Sequence, residues 1–214
     1  MDKGNILKAI EELKKEKQRK FPQSYDLIIN LKNLDVKKEA NKFDNFLVLP
    51  NDKGKKLKIC ALIDKELAAK SKEIFDKAIL ADEFSKLNKK DIKKLANEHD
   101  FFVAQSSIMT DVAKTFGKIL GPKNKMPNPK AGAVITSATD LKSLYVRLQK
   151  TVRLTVKNEA SIKTMIGKQG MEDKLPENVM AVYNNVLHSL PQEKYNIKNV
   201  ILKLTMSKGV KVES

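Results

Sequence analysis

The first twenty residues carry an amphipathic pattern in which apolar residues recur three and four positions apart. The apolar positions are Ile6, Leu7, Ile10 and Leu13. This spacing places the apolar side chains on one face of a helix and the charged side chains on the other. We therefore predict a helix over residues 5–20, ended by Pro22, which lacks the amide hydrogen that a helix requires.

Beyond this helix the pattern becomes typical of β-strands up to residue 64. Apolar runs occur in DLIINLKNL, FLVLP and KLKICALI, and the polar segment NDKGKK separates the last two. A loop rich in Asn, Asp and Gly between two apolar runs is typical of a hairpin. The sequence thus predicts that FLVLP and KLKICALI form an antiparallel pair.

Between residues 65 and 152, short apolar segments alternate with helical ones. The helical patterns are KELAAKSKEIFDKA, SKLNKKDIKKLANEH, MTDVAKTFGKIL and DLKSLYVRLQK. The apolar segments between them are AILADEF, FFVAQSS and AVITSATD. This alternation predicts a parallel or mixed sheet with helices on its faces.

Strict alternation returns in TVRLTVKN, where Val152, Leu154 and Val156 fall on one face of a strand. A helix around residues 173–190 and a final strand, NIKNVILKLTMSKGVKV, complete the pattern. Both ends of the chain are therefore α+β, whereas the middle is α/β. We predict a discontinuous α+β domain made of residues 1–64 plus 153–214, with an α/β domain, residues 65–152, inserted into it.

Charge narrows the class of partner. The chain has 214 residues and 42 Lys+Arg against 26 Asp+Glu, a formal net charge of +16, while 41% of its residues are hydrophobic. That apolar fraction is enough for a folded core. The positive excess favours a nucleic-acid partner, because neutralised phosphates release counterions, although lysines can also serve only to solvate a surface.

The same pattern bears on location. No apolar run reaches the roughly 20 residues that span a bilayer, and charges interrupt the apolar stretches at the start of the chain. We expect no membrane association. Cys60 is the single cysteine, so no intrachain disulfide can form, and a cytoplasmic location is expected.

Three segments are candidates for contacts with nucleic acid. Residues 114–130, KTFGKILGPKNKMPNPK, hold five lysines and no acid, but their glycines are spaced wrongly for a phosphate-binding loop. Residues 166–170 contain the GXXG string of KH domains, which clamp single strands. Residues 204–209, LTMSKG, combine hydroxyls, a glycine and an unbranched apolar side chain. Each segment can also be a plain basic loop, a chance match or a strand end.

Catalytic groupings do not occur in the sequence. His99 and His188 are the only histidines, and neither lies near Cys60 or at a metal-ligand spacing. Cys60 lies in an apolar strand and is expected to be buried and inert. We therefore predict no enzyme activity, cofactor or metal, in preference to an enzyme that acts on RNA or nucleotides, which would need a glycine-rich loop directly after a strand.

Taken in order, four segments resemble the ribosomal protein L-one family, which builds the mobile side stalk of the large subunit. The most specific is GKILGP at residues 117–122 with MPNPKAG at residues 126–132. The others are KFPQSYD at residues 20–26, Gly167-Lys168, and Thr205-Met206. Residues 117–132 are called the signature segment below. The Lys-Asn-Lys at residues 123–125 within it resembles archaeal members of the family.

The resemblance implies the same split architecture, with a three-layer, Rossmann-like inserted domain and the main rRNA site on the discontinuous domain. It also implies a structural constituent of the large subunit that binds side-stalk rRNA, assists release of deacylated tRNA from the exit site and represses translation of its own mRNA. The implied partners are large-subunit rRNA, exit-site tRNA, its own mRNA and other ribosomal components, with a monomer when free. A KH-like or other single-stranded RNA-binding protein outside the ribosome is the alternative.

Carried over by position, the resemblance implies a set of rRNA-binding residues. They are Lys20, Phe21, Ser24, Asp26, Gly167, Lys168, Thr205, Met206, Ser207, Lys208 and Gly209. Phe21 would pack against sugars or bases, Thr205 and Met206 would approach the sugar-phosphate backbone, and the lysines would meet phosphates. Asp26 replaces what is often Glu in the family, and Ser207 replaces the usual glycine.

The signature segment is expected to play a different part, because it falls in the inserted domain. Its lysines, Lys118, Lys123, Lys125 and Lys130, are predicted to make a secondary contact. That contact is with tRNA or distal rRNA, or with the other domain.

Overall fold

The computed structural model of the protein describes residues 2–17, 19–36, 38, 41–157 and 159–212. The chain divides into two compact units. One, here called the terminal unit, consists of Met1–Lys55 and Lys150–Ser214; the other, the inserted unit, is Lys56–Gln149.

The helices and strands are numbered in chain order. They are α1 (Lys3–Lys14), β1 (Ser24–Leu31), β2 (Phe43–Val48), β3 (Ile59–Ile63), α2 (Ala68–Ile74), β4 (Lys77–Leu80), α3 (Lys89–Glu98), β5 (Phe101–Gln105), α4 (Met109–Leu120), β6 (Val134–Ile135), α5 (Leu141–Lys150), β7 (Thr151–Val156), β8 (Ser161–Lys168), α6 (Leu175–Ser189), β9 (Ile197–Leu204) and β10 (Val210–Val212).

The terminal unit contains a four-stranded antiparallel sheet in the order β10-β9-β1-β8. Alternate residues of β1 are buried, among them Tyr25, Leu27 and Ile29, and they share one core with the apolar stripe of α1 and with α6. A separate antiparallel pair is formed by β2 and β7. Because β1 lies inside the sheet, both of its sides pair with strands from the later part of the chain, β8 and β9.

The inserted unit is α/β, as predicted. Its sheet has the order β4-β3-β5-β6 and is parallel throughout, with helices flanking it. All five residues of β3 are buried, as a strand covered on both faces requires. A core cluster that includes Phe102, Val112 and Phe116 joins the sheet to α3 and α4.

Several predicted elements are confirmed. MTDVAKTFGKIL forms α4, and Val152, Leu154 and Val156 are the buried face of β7. The predicted hairpin is wrong, because KLKICALI contributes β3 to the parallel sheet while FLVLP contributes to β2, which pairs with β7. Residues 56–64 consequently lie in the inserted unit, and residues 150–152 lie in the terminal unit.

Two further predictions need correction, and one strand was missed. The first helix ends at Lys14, well before Pro22. The segment predicted as one final strand is a hairpin of β9 and β10, joined by residues 205–209. β8 was not predicted, because polar Thr164 lies on the core-facing side and apolar Met165 on the opposite side, which breaks the alternation.

Candidate nucleic-acid interface

Three segments that are far apart in sequence meet at one end of the antiparallel sheet. Since β1 runs antiparallel to both β8 and β9, its first residues lie beside the last residues of those two strands. Ser24 is opposite Lys168, and Tyr25 is opposite both Gly167 and Leu204. The segments 20–24, 168–172 and 205–209 therefore form one surface, here called the strand-end surface.

Thr205 is fastened to the start of β1 by its backbone and its side chain. Its amide donates to the Ser24 carbonyl over 3.1 Å. The Ser24 amide donates to the Thr205 hydroxyl oxygen, also over 3.1 Å. The two residues that the sequence placed in the candidate site are thus direct neighbours, although 181 positions separate them.

Gln23 connects all three segments and was missed by the sequence prediction. Its side-chain oxygen accepts from the amide of Met206 over 2.9 Å. Its backbone amide donates to the side-chain oxygen of Gln169 over 2.7 Å, and the Gln169 amide donates back to the Gln23 carbonyl over 2.9 Å. Gln23 is only 2% exposed, so it supports the surface from beneath.

Tyr25 and Glu172 form a second polar contact under the same surface. The Tyr25 hydroxyl donates to a Glu172 carboxylate oxygen over 3.1 Å, and the Gly170 amide donates to the same carboxylate. Burial raises the pKa of Glu172, but hydrogen bonds from its own amide, from Gly170 and from Tyr25 outweigh this effect, and its pKa is lowered. Glu172 is therefore a carboxylate at neutral pH and holds the turn after β8.

Two large apolar side chains are exposed on the strand-end surface. Phe21 is 48% exposed and Met206 is 58% exposed. Phe21 lines an open groove of about 530 Å³, whose charged lining residues are the cations Lys14, Arg19 and Lys20 and the carboxylates Glu16 and Glu172. An exposed apolar pair next to cations is suited to sugars and bases with phosphates close by.

Asp26 introduces a negative charge close to this surface. Burial raises the pKa of its carboxyl group, and the nearby Lys203 ammonium partly opposes that shift. Lys203 is the residue opposite Asp26 on β9. The pairing limits the repulsion that Asp26 would exert on a phosphate.

Ser207, which replaces a usual glycine, fits its turn without backbone strain. Non-glycine residues with positive φ in the described part of the chain are Asn33, Asn124 and Glu193, and Ser207 is not among them. Its hydroxyl oxygen accepts from the Leu204 amide over 2.9 Å and donates to the Lys208 carbonyl over 2.8 Å. Ser207 thus closes the turn, while Lys208 and Gly209 are exposed beyond it.

The GXXG string is a strand end followed by a turn. Gly167 is buried in β8, where a Cβ atom would come within 2.3 Å of Leu175 Cδ2, so this glycine serves packing against α6. Lys168 is the last residue of β8, and Gly170 follows in the turn with φ of +92°. A KH loop joins two helices, so the KH-like interpretation is wrong.

The signature segment lies in the inserted unit and is closely tied to α3. The Lys125 ammonium donates to the carbonyls of Ala96 and His99 over 2.9 and 2.7 Å. These carbonyls lie at the C-terminal end of α3, where helix carbonyls lack partners within the helix. Lys123 donates to the side chain of Asn97, whereas Lys118 and Lys130 are exposed.

The remaining reactive side chains are structural. Cys60 is fully buried, and burial raises the pKa of its thiol to about 12. The buried His99 ring lies 3.0 Å from the Leu95 carbonyl. Within the described ranges, no group of three or more His, Cys, Asp and Glu side chains could hold a metal ion. Nor do those ranges contain a helix with the length and apolar character needed to cross a membrane.

Comparison with known proteins identifies the family. The ribosomal protein L1p/L10e family matches residues 13–208. The large ribosomal subunit protein uL1 of Methanothermococcus thermolithotrophicus is 41% identical over 100% of both chains. Proteins of the same name from Nanoarchaeum equitans and Thermoplasma volcanium are 37% and 36% identical, over 95% and 99% of this chain and 99% and 97% of the relatives. The predicted archaeal-like family is confirmed: this chain belongs to the ribosomal protein L1p/L10e family.

Proposed function

We propose that this chain is a structural protein of the large ribosomal subunit that binds side-stalk rRNA through the strand-end surface. Phe21 and Met206 contact sugars and bases, Ser24 and Thr205 make hydrogen bonds, and Lys20, Lys168 and Lys208 meet phosphates. Membership of a ribosomal-protein family agrees with the prediction that the chain is not an enzyme. The protein is expected to act in the cytoplasm, as a monomer until it joins rRNA and other ribosomal components.

One observation carries this proposal. Segments from both ends of the chain converge to expose Phe21 and Met206 beside lysines, while hydrogen bonds from Thr205 and from the buried residue Gln23 hold the backbone next to them. Exposed apolar side chains cost solubility, so an ordered pair with cations nearby favours a binding role. RNA suits that pair because bases stack on aromatic side chains such as Phe21, and phosphates attract lysines.

The proposal is tested by filter binding to a stalk-rRNA fragment, to tRNA and to a single-stranded oligomer across a salt series. If binding is specific, the binding free energy for the stalk-rRNA fragment should exceed that for tRNA and for the oligomer by roughly 4 kcal/mol or more. This difference is called the gap below. Phe21→Ala should reduce this difference in binding free energy by about 1–3 kcal/mol, the usual loss when an aromatic side chain that stacks on a base is removed. Met206→Ala should reduce it by a smaller amount, through lost apolar contact.

Matched controls exist within the terminal unit. Tyr195 is an exposed aromatic residue, 79% exposed, and Leu7 is an exposed aliphatic one, 47% exposed. Neither lies in the strand-end surface, so Tyr195→Ala and Leu7→Ala should leave the gap unchanged. If all four variants behave alike, the site assignment is wrong even though the family is right.

Repression of its own mRNA is proposed to use the same surface. An mRNA segment that imitates the stalk would then compete directly with the rRNA fragment for one site. Met206→Ala should weaken both ligands by the same factor and relieve repression of a reporter that carries the mRNA leader. Unequal losses would indicate two separate sites.

Assistance to tRNA release is proposed to involve the exposed lysines of the signature segment as a secondary RNA contact. The structure changes the choice of variant, because Lys125 supports α3 and its loss would perturb the fold. The triple variant Lys118→Ala, Lys123→Ala, Lys130→Ala should leave stalk-rRNA affinity within a few-fold and slow release of deacylated tRNA. A loss of several kcal/mol in rRNA affinity would make the segment part of the main site.

A further inference from the structure

Gln23 occupies a position where the strand pattern calls for an apolar residue. It continues the inward-facing register of Tyr25, Leu27, Ile29 and Leu31, all of which are buried. A buried amide costs free energy unless its polar atoms find partners, and an aliphatic side chain would fill the same space without that cost. The amide is therefore explained better by what it holds than by core packing.

What Gln23 holds is the backbone directly beneath an exposed candidate contact. Its Oε1 accepts from the Met206 amide over 2.9 Å, across 183 positions of sequence. Met206 is itself 58% exposed. The hydrogen bond therefore ties an exposed turn to a buried residue and limits the orientations of that turn.

The backbone of the same residue is bonded to the turn after β8. Gln23 and Gln169 exchange two hydrogen bonds, of 2.7 and 2.9 Å, one to a side chain and one between backbones. Gln169 in turn lines the groove that contains Phe21 and Lys20. One buried residue thus sets the relative placement of the Phe21 groove, the β8 turn and the Met206 turn.

We infer that Gln23 is a positioning residue for RNA binding, whose side chain holds the Met206 turn in its bound geometry before RNA arrives. This inference rests on the proposed function of the strand-end surface. Pre-ordered contacts bind more tightly because less conformational freedom is lost on association. Gln23 need not touch RNA to act in this way.

The test is Gln23→Leu in the full chain, with binding to the stalk-rRNA fragment as the readout. We expect affinity to fall roughly five- to tenfold, the scale of one orienting hydrogen bond. The slope of log affinity against log salt should stay unchanged, because no phosphate contact is lost, whereas Lys168→Met should reduce that slope by about one. Amide exchange at Met206 should become faster in the free Gln23→Leu protein.

The decisive readout is coupling to Met206. In a Met206→Ala background, Gln23→Leu should cost less than about twofold, because the side chain that it orients is already gone. Full additivity of the two changes would overturn the inference, and so would an affinity of Gln23→Leu within twofold of the original protein.

A matched control is Gln105→Leu in the inserted unit. Gln105 is 6% exposed, and its side-chain oxygen accepts from the Asp64 amide over 3.0 Å, which is the same kind of contact away from the strand-end surface. Gln105→Leu should lose similar stability and no RNA affinity.

If Gln23→Leu does not fold, Gln23→Met keeps the length of the side chain, removes the acceptor of the Met206 amide and should show the same coupling. If Phe21→Ala and Met206→Ala leave rRNA binding intact, the proposed function fails; if they weaken it and neither glutamine variant does, only this inference fails.

Discussion

Tyr25 brings a hydroxyl group into a face of β1 that is otherwise mostly apolar. The residue is fully buried, and burial together with the adjacent Glu172 carboxylate raises the pKa of the hydroxyl group above its ordinary value. The neutral hydroxyl is therefore a constant donor to Glu172, whose pKa is lowered in return. At the scale of single residues, the strand-end surface rests on a contact that depends on the ionisation of one carboxyl group.

Tyr25→Phe should lower the free energy of unfolding by about 1.5–3 kcal/mol at pH 7, the range for a hydrogen bond to a charged group. The lowered pKa of Glu172 means that its stabilisation is present above the ordinary value of 4.5 and is lost as pH falls below it. The difference between the two proteins in urea unfolding should therefore shrink from pH 7 to pH 3.

Tyr183 offers the control for that experiment. It is 3% exposed on α6, and burial alone raises the pKa of its hydroxyl group. Tyr183→Phe should change stability by the same amount at both pH values. A Tyr25→Phe effect that is equally constant with pH would mean that packing, rather than Glu172, causes it.

At the scale of elements, the signature segment completes the end of a helix. Lys125 reaches two carbonyls at the C-terminal end of α3, and Met126 packs against the core of the inserted unit. A cation is favourable there, because the helix dipole places partial negative charge at that end. The most basic segment of the chain is thus partly structural, and its lysines differ in role.

Lys125→Met should destabilise the inserted unit by about 1–2 kcal/mol, because it removes two hydrogen bonds and a cation from the end of α3. Lys118→Met is the control, since Lys118 is exposed on α4 and should change stability by less than about 0.5 kcal/mol. Hydrogen exchange of the α3 amides in both variants would measure the difference. Equal protection in the two would contradict the assigned role of Lys125.

Elements with a strong local pattern could be predicted, and those defined by distant partners could not. The apolar spacing in residues 109–120 is sufficient to define α4. The residues of β3 do not reveal which strand it pairs with, because a fully apolar strand fits a hairpin or a parallel sheet equally well. The turn residues that precede β3 therefore favoured the hairpin. β8 pairs with β1, which precedes it by more than 130 residues, and the residues of β8 lack the apolar alternation that would predict a strand.

The residues of the candidate site also differ in whether they could be predicted from the sequence. Phe21, Thr205 and Met206 could be named from the resemblance to the family, since they lie in recognisable segments. Gln23 and Glu172 could not, because their roles depend on contacts between segments that only the folded sheet brings together. Alternation along β1 held the one usable signal, a glutamine at an inward-facing position.

At the scale of the whole molecule, the inserted unit is continuous in sequence and the terminal unit is not. The residues of the parallel sheet and its core cluster all fall within Lys56–Gln149. A fragment of residues 56–149 should therefore fold by itself, show a cooperative thermal transition and lack stalk-rRNA affinity. Circular dichroism and filter binding would check both expectations, and a gradual transition would show that the unit needs the rest of the chain.

The position of β1 between β8 and β9 also determines when the antiparallel sheet can form during translation. Its neighbours β8 and β9 are synthesised more than 120 residues later, a wait on the order of ten seconds at ordinary elongation rates. The intervening unit can fold meanwhile, whereas β1 waits without partners, and polar residues such as Asp26 and Asn30 make it a poor template for aggregation. A nascent chain that stops before Met206 never assembles the strand-end surface. RNA binding would then be reserved for chains whose synthesis has passed that residue, so that unfinished products do not occupy the RNA.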